Sequence, residues 1–344
     1  MSLQRGSLKW KCTHSHSRRR SACALRLALF YNFAAIGSTI TARCSFDQDS
    51  MPTLPELLEL RLRAACGSTS DTASLCSTAA WQHLAAGGGR VRSQICLDAS
   101  VRLGLSHGNA VCAAAVCELI HNASLIQDDL LDRTPSRRQK PSVWVEHGDT
   151  VAVCTGDLML SAAYGLISEL DPPSSIAPAL RLVHRRTSEV IVGQTEEIAP
   201  AQLGSGETAL RYERLARAKS ASLLSLSLEL PLLLSGNEMY LAEANAVAGD
   251  FAVAYQIADD LADVLQDARE GSLNLMLSLV EQDGLTRPAA YAFSINLATT
   301  HLASAQKKAA ALPNDCAASL LALAEKLRQT LAAYSSTSLV TAGV

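Results

Sequence analysis

Two aspartate pentads of one pattern, Asp-Asp-x-x-Asp, constrain this 344-residue chain more than anything else in it. The run Ile120-His121-Asn122-Ala123-Ser124-Leu125-Ile126-Gln127-Asp128-Asp129-Leu130-Leu131-Asp132 ends in Asp-Asp-x-x-Asp, and Ile257-Ala258-Asp259-Asp260-Leu261-Ala262-Asp263 repeats it 131 residues further on. Both close Ala- and Leu-rich stretches in which apolar residues recur every three or four positions, the period of a helix. Residues four apart share a helix face, which stacks Asp128 on Asp132 and Asp259 on Asp263. Each pair of like charges costs about a few tenths of a kcal/mol, and negative charge near a helix C-terminus also opposes the helix dipole. A single acidic pentad reads equally well as a solvated face. Two of them, each breaking local rules at the end of an apolar helix, point to a shared cation. The hard divalent ion that suits carboxylate oxygens is Mg²⁺, which commonly completes its shell with water and substrate phosphates.

Composition narrows the fold to helices. Aromatic residues make up 4% of the chain and hydrophobic residues 48%, Ala and Leu are abundant, and strand-type alternation is nearly absent. This predicts an all-α protein, a single large bundle whose helices approach closely through small residues. No fixed-period repeat emerges, which excludes a solenoid. The pentads are therefore expected as facing walls of one central cavity. No uninterrupted apolar run reaches the length of a bilayer span, so no stable membrane anchor is expected. The ten cysteines form neither a Cys-x-x-Cys pair nor a zinc spacing, which reads as free thiols in a reducing, cytoplasmic setting.

The net charge of −3 conceals an asymmetry: residues 1–46 hold eight Lys or Arg and no acid, leaving 22 basic and 33 acidic residues, a net of −11, in the remainder. That acidity speaks against a nucleic-acid partner. Residues 1–50 differ in kind from the rest of the chain. Their Arg and Ser content matches an organellar transit peptide, and the weakly apolar stretch 27–40 matches a secretory signal without a small-residue cleavage site. Met51, followed by helix-like Leu54-Pro55-Glu56-Leu57-Leu58-Glu59-Leu60, offers an alternative start. The expectation is a leader over 1–50, disordered, targeting or outside the native start, followed by one domain over 51–344. A working transit peptide would place the protein in an organelle.

Helices are predicted for an opening pair before Gly87-Gly88-Gly89, from near Ser93, from Gly108 to Leu131, and over about 142–170, 175–199, 209–235, 238–268, 288–311 and 315–334. Several polar residues stand where a helical core would not want them. Arg90 and Arg92 follow the glycine break and together offer bidentate donors to a diphosphate. His121 lies two turns before Asp128 on nearly the same face, placed either to donate to that anion or to sit satisfied in the bundle. Arg137 and Arg138 occupy a loop held open by Pro135 and Pro141. Gln194, Lys219 with Ser220, and Gln256 are weaker signals, and the run 211–219 reads by itself as a solvated basic face.

In order along the chain, these positions resemble the trans-prenyltransferases, the isoprenyl diphosphate synthases, over about 90–330. The family's Gly-Lys-x-x-Arg element corresponds to Gly88-Gly89-Arg90-Val91-Arg92, its helix histidine to His121, and its first aspartate motif to Asp128, Asp129 and Asp132. Its Arg-Arg pair corresponds to Arg137 and Arg138, with Lys140-Pro141-Ser142 resembling the usual Gly-x-Pro-Thr. Gly193-Gln194, Lys219-Ser220 and Tyr255-Gln256-Ile257-Ala258-Asp259-Asp260 match its Gly-Gln, Lys-Ser/Thr and second aspartate elements. Two features depart from the pattern. Gly89 stands in place of the lysine, and no lysine occurs between Lys219 and Lys307, where the family shows several; Arg269 is the nearest substitute.

The resemblance implies an isoprenoid synthase bundle and a Mg²⁺-dependent head-to-tail condensation of isopentenyl diphosphate with an allylic diphosphate. Three Mg²⁺, or Mn²⁺ in their place, would be held by Asp128, Asp129, Asp132, Asp259, Asp260 and Asp263. Arg137 and Lys219 would hold the allylic diphosphate, and Arg92, His121 and Arg138 the other, with Ser220, Gln194 and Gln256 also binding substrate. It implies a homodimer, with a heterodimer as the variant. Small side chains at Ala123 and Ser124 leave the product tunnel open, which predicts C20 or longer, unless Leu119 or Ile120 closes it. A non-catalytic partner subunit and a terpene cyclase are the rival readings.

Overall fold

The computed structural model describes residues 52–67, 74–198 and 206–336, and over these the chain is helical apart from one short hairpin. The expected leader over 1–50 lies outside the described residues. Helices α1 (Leu54–Ala65), α2 (Leu75–Ala85) and α3 (Val91–Arg102) lead to the long α4 (His107–Leu131). The hairpin comes next, with β1 (Ser136–Arg137) antiparallel to β2 (Lys140–Pro141). After it come α5 (Val143–His147), α6 (Asp149–Ile167), α7 (Ile176–Ile198) and α8 (Thr208–Ala216). A π-helical turn over Arg217–Ala221 runs into α9 (Ser222–Leu234). The described residues finish with α10 (Leu241–Ala262), α11 (Val264–Glu270), α12 (Leu275–Gln282), α13 (Arg287–Ala309) and α14 (Ala318–Ser336).

Helix α4 starts where Ser106 accepts the amide of Asn109, and every residue from Ala110 to Ile120 is buried. A helix apolar on all sides belongs in the interior. It and α6 are long and apolar enough to cross a membrane, yet 78% of the α4 window is buried in the bundle against 39% for α6. One core gathers α1, α2, α6 and α7 around α4; a second gathers α3 and α11–α14 around α10. Helix α9 joins the two. Leu223, Leu226, Leu230 and Leu233 enter the first core, whereas Leu224, Leu228 and Leu232 enter the second. Spacings of three and four on opposite sides of one helix produce this division. Both α4 and α10 pack against α9, so the helices that end in the two pentads are held by one common element.

Three predicted helices are interrupted. Gly148, at φ 88° and ψ 164°, separates α5 from α6 inside the predicted 142–170 helix, a conformation a side chain would resist. The predicted 209–235 helix contains the π-turn, and the predicted 238–268 helix breaks at Asp263, where φ is −111° and ψ 15°. Helix α12 was not expected. It is a short element started by Asn274, whose side-chain oxygen accepts the amide of Leu277. The loop held by Pro135 and Pro141 is the hairpin, its turn made by Arg138 and Gln139 at φ 53° and 62°.

Helices α7 and α9 are clamped by an ion pair: Arg186 donates from Nε at 2.8 Å and Nη2 at 2.5 Å to the two oxygens of Glu229, which is fully buried. Removing one member strands a charge in a low-dielectric interior. Arg186→Ala is expected to lower unfolding free energy by about 3–5 kcal/mol, measured by urea titration. A loss below about 1 kcal/mol would show that water reaches Glu229.

Candidate active site

A cleft of about 160 Å³ lies between α3, α4, the hairpin, the π-turn and α10. Arg92, His121, Asp128, Arg137, Arg138, Lys219, Ser220, Gln256 and Asp259 all line it, so residues scattered over 168 positions of sequence meet in one place. Its apolar floor is Leu125, Leu223, Leu224 and Phe251. Ser124 stands on its wall, whereas Ala123, Leu119 and Ile120 are buried in the core around α4.

The six aspartates divide by environment. Asp128 and Asp259 face the cleft. Asp132 and Asp263 cap the C-termini of α4 and α10, their amides donating to the carbonyls of Asp128 at 2.8 Å and Asp259 at 3.1 Å. Asp129 and Asp260 correct the expectation that all six present themselves to metal. Arg137 takes both oxygens of Asp129, at 2.7 Å from Nε and 2.6 Å from Nη2, inside the protein. Asp260 accepts the Leu275 amide at 2.8 Å and the Gln256 side chain at 3.1 Å. Burial pushes its pKa up to about 7 against those bonds and one from Tyr212. Among the described residues no three His, Cys, Asp or Glu side chains converge as a ready-made metal cage. One carboxylate from each wall nevertheless fits a Mg²⁺ that borrows its remaining oxygens from water and a phosphate.

The cationic end of the cleft is built around Glu118. This buried carboxylate accepts Arg90 Nη1 at 2.9 Å, Ser93 Oγ at 3.0 Å and Asn122 Nδ2 at 2.9 Å, tying the first turn of α3 to α4. Arg90 also holds Glu59 and the Leu84 carbonyl, so of the two arginines expected to share an anion, Arg90 is committed to structure. Arg92 Nη1 lies 3.1 Å from His121 Nε2. A guanidinium only donates, so Nε2 accepts and the ring proton sits on Nδ1. Burial first, then Arg92, Arg138, Arg137 and His83, holds the His121 pKa well below its usual range, which makes it a neutral donor. Arg138 donates to the Gly87 carbonyl and lies over Gly88, where a Cβ would stand 2.7 Å from its guanidinium carbon.

Lys219 reaches the cleft from the π-turn, which is clamped from two sides. A Cβ at Gly193 would stand 2.7 Å from Cβ of Ala218, and one at Gly249 would collide with the Arg217 guanidinium. Arg217 in turn donates to Asp250 at 2.5 Å, and Asp250 also accepts from Lys308 and Ser304, both at 2.7 Å. Gln194, expected to bind substrate, does not line the cleft; its neighbour Gly193 supplies the close approach.

The polyprenyl synthetase family model matches residues 74–294, a stretch that contains every residue of this cleft. This chain belongs to that family. The (2E,6E)-farnesyl diphosphate synthase of Mycobacterium tuberculosis is 34% identical over 178 residues, 51% of this chain and 48% of that protein. The geranylgeranyl pyrophosphate synthase of Geoglobus acetivorans is 31% identical over 189 residues, 54% of this chain and 59% of that protein. The chain thus spans about half the length of the curated relatives it matches. For the fold, the geranylgeranyl pyrophosphate synthetase structure from Pyrococcus horikoshii superposes with a TM-score of 0.70 at 22% identity, covering 80% of this chain and 95% of that one.

In this chain the segment lacking the family's lysines is a latch. Gly271 caps α11, and Asn274 Nδ2 donates to the Asp260 carbonyl at 2.7 Å and to Asp267 at 2.9 Å. Arg269 is exposed and does not line the cleft, so it does not replace the lysines. Sequence reasoning passed over Glu118, Asp250 and Phe251. Glu118 and Asp250 carried a usable signal, an acid inside an Ala- and Val-rich helical stretch, which must find a cation or a donor.

Asp250 yields a test of the clamp. Burial alone would raise its pKa, but bonds from His301, Lys308, Ser304 and Arg217 hold it far below the usual carboxylate range. The stability it contributes is present above the unfolded-state value near 3.8 and fades as pH falls from there toward the folded value. Asp250→Asn is expected to cost about 2 kcal/mol at pH 7, with the difference from wild type shrinking below about pH 4. Thermal melts from pH 3 to 7 measure it; a gap that widens on acidification overturns the assignment.

Proposed function

We propose that this protein condenses isopentenyl diphosphate head to tail with an allylic diphosphate, giving an all-trans prenyl diphosphate of C20 or longer. The observation that carries the reading is the shared cleft: Asp128 and Asp259 enter it from two helices, while Arg92, His121 and Arg138 line it as well. Mg²⁺, bound through Asp128 and Asp259 with Asp132 and Asp263 beside them, would supply the Lewis acidity that neutralises charge on a departing diphosphate.

Lys219, on its clamped turn, holds the allylic diphosphate by a charge-assisted bond. Arg137 supports it indirectly, by fixing Asp129 and with it the end of α4. Arg92, the Nδ1–H of His121 and Arg138 hold the second diphosphate, which orients the double bond of isopentenyl diphosphate toward the allylic carbon. The floor of Leu125, Leu223, Leu224 and Phe251 keeps water from the allylic cation that forms. Attack by the double bond makes the new carbon–carbon bond, and proton loss to the released diphosphate completes one extension.

The partner is a second copy of this chain. Helix α6 leaves Val153 47% exposed, and α7 leaves Leu180, Ile191 and Val192 at 43%, 55% and 54%, an apolar face of the kind obligate interfaces cover. One observation favours a second reading, a non-catalytic subunit: Gly89 and the latch over 271–275 remove cations that the family places at the site.

Incubation with Mg²⁺, radiolabelled isopentenyl diphosphate and an allylic diphosphate separates these readings. Label is expected in a longer prenyl diphosphate, with kcat falling about 10²–10³-fold or more in Asp128→Ala and Asp259→Ala. A hydrocarbon from the allylic substrate alone identifies a cyclase, and no turnover supports the subunit. A product that stops at C15 refutes the length assignment. Light scattering is expected to give twice the chain mass, reduced to the chain mass by Val153→Glu with Ile191→Glu; a monomeric wild type rejects the dimer.

A further inference from the structure

Helix α13 does not line the cleft, yet one of its histidines stands between two acids that bear on the turn carrying Lys219. The side chain of His301 is 12% exposed. Its Nδ1 lies 3.2 Å from Asp250 Oδ1 on α10, and a carboxylate only accepts, so the ring donates. Its Nε2 stands 3.2 Å from Glu213 Oε2 on α8, within ion-pair range though not aligned for a hydrogen bond. One imidazole therefore spans the helix that enters the π-turn and the carboxylate that holds the turn's own Arg217. Ser304 and Lys308, one and two turns further along α13, take the other oxygen of Asp250, both at 2.7 Å.

Glu213 and Arg217 are four residues apart and share the face of this helical run that meets His301 and Asp250. Lys219 comes two residues after Arg217, about 200° further round a helix, and so projects from nearly the opposite side, where it lines the cleft. Rotation of the run about its axis carries both faces together. Whatever fixes Glu213 and Arg217 therefore also aims the Lys219 ammonium. Asp250 grips the run at Arg217; His301 adds a second hold one turn earlier, at Glu213, and two holds a turn apart resist twisting better than one.

We propose that His301 is a positioning residue for Lys219: by bridging Glu213 and Asp250 it sets the rotation of the π-turn, and with it the affinity of the cleft for the diphosphate of an allylic substrate. The inference rests on the reading in which Lys219 holds that diphosphate. Because His301 stands outside the cleft, it acts on the ligand only through the lysine.

Isothermal titration of the full-length protein, in the presence of Mg²⁺, with a thiolodiphosphate analogue of the allylic substrate tests this. The analogue ionises too slowly to turn over, so binding is read without condensation. Lys219→Ala is expected to weaken binding about tenfold or more, and His301→Ala about five- to tenfold. General loosening of the bundle would add its loss to that of the lysine, whereas a residue acting through the lysine has nothing left to lose once the lysine is gone. In the Lys219→Ala background, His301→Ala is therefore expected to cost less than about twofold. Where circular dichroism shows that His301→Ala does not fold, Glu213→Gln, which removes the other end of the bridge, carries the same expectations. A His301→Ala affinity within about twofold of wild type, or a loss that persists undiminished without Lys219, overturns the proposal and leaves Lys219 its role. Wild-type protein that does not bind the analogue, or Lys219→Ala that binds it as tightly as wild type, overturns both.

Discussion

Carboxylates at the C-terminal ends of helices stand against the electrostatic grain, because the last carbonyls already carry partial negative charge there. Helices α4 and α10 both end this way and both bring an acid into one cleft, Asp128 from the first and Asp259 from the second. Left alone, two such ends would separate. The remainder of the bundle supplies what holds them: α9 packed against both helices, a guanidinium on Asp129, and a backbone amide with two side-chain donors on Asp260. The middle aspartate of each pentad is thus spent on anchoring, which leaves the first and last toward the cleft or its edge. In the proposed reaction a divalent metal would complete this arrangement, since it would neutralise both walls and a diphosphate together.

The same device recurs wherever the site needs a fixed frame. Glu118 ties α3 to α4, Glu229 ties α7 to α9, and Asp250 ties the π-turn to α10 and α13, each a buried acid with cationic partners. A buried pair is weak evidence of net stability but strongly penalises any arrangement that leaves one partner behind. It therefore selects one register of helix packing. Cores rich in Ala and Leu need such selection, since near-uniform apolar faces can slide with little change in buried area.

Much of this was legible before any coordinates. The all-α class followed from Ala and Leu content and period, and the pentads, Arg92 and His121 stood out as polar residues placed against a helical core, whereas Arg138, Lys219 and Gln256 gained weight only from the family resemblance. What failed to show was anything that depends on contacts distant in sequence. Arg90 and Arg92 look interchangeable two residues apart, yet one faces Glu59 and Glu118 while the other reaches His121. Asp128 and Asp129 look equally suited to metal until Arg137 occupies the second. Gln194 attracted notice for a polar side chain, although the contribution of that pair is the absence of one at Gly193.

The π-turn at Arg217–Ala221 was the hardest feature to anticipate, and it bears directly on Lys219. An added residue in a helical turn rotates everything after it by about 100° relative to an unbroken α-helix. The leucines of α9 must alternate between two cores, so their rotation is fixed from the C-terminal side. Tyr212 and Leu215 are buried on α8, which fixes the rotation from the other side. The two phases do not match along one straight helix. The widened turn absorbs the difference at Lys219 and Ser220, the pair that lines the cleft. Gly193 and Gly249 keep the turn in place by leaving room for Ala218 and Arg217, so a side chain at either position would push the ammonium of Lys219 away from the cleft.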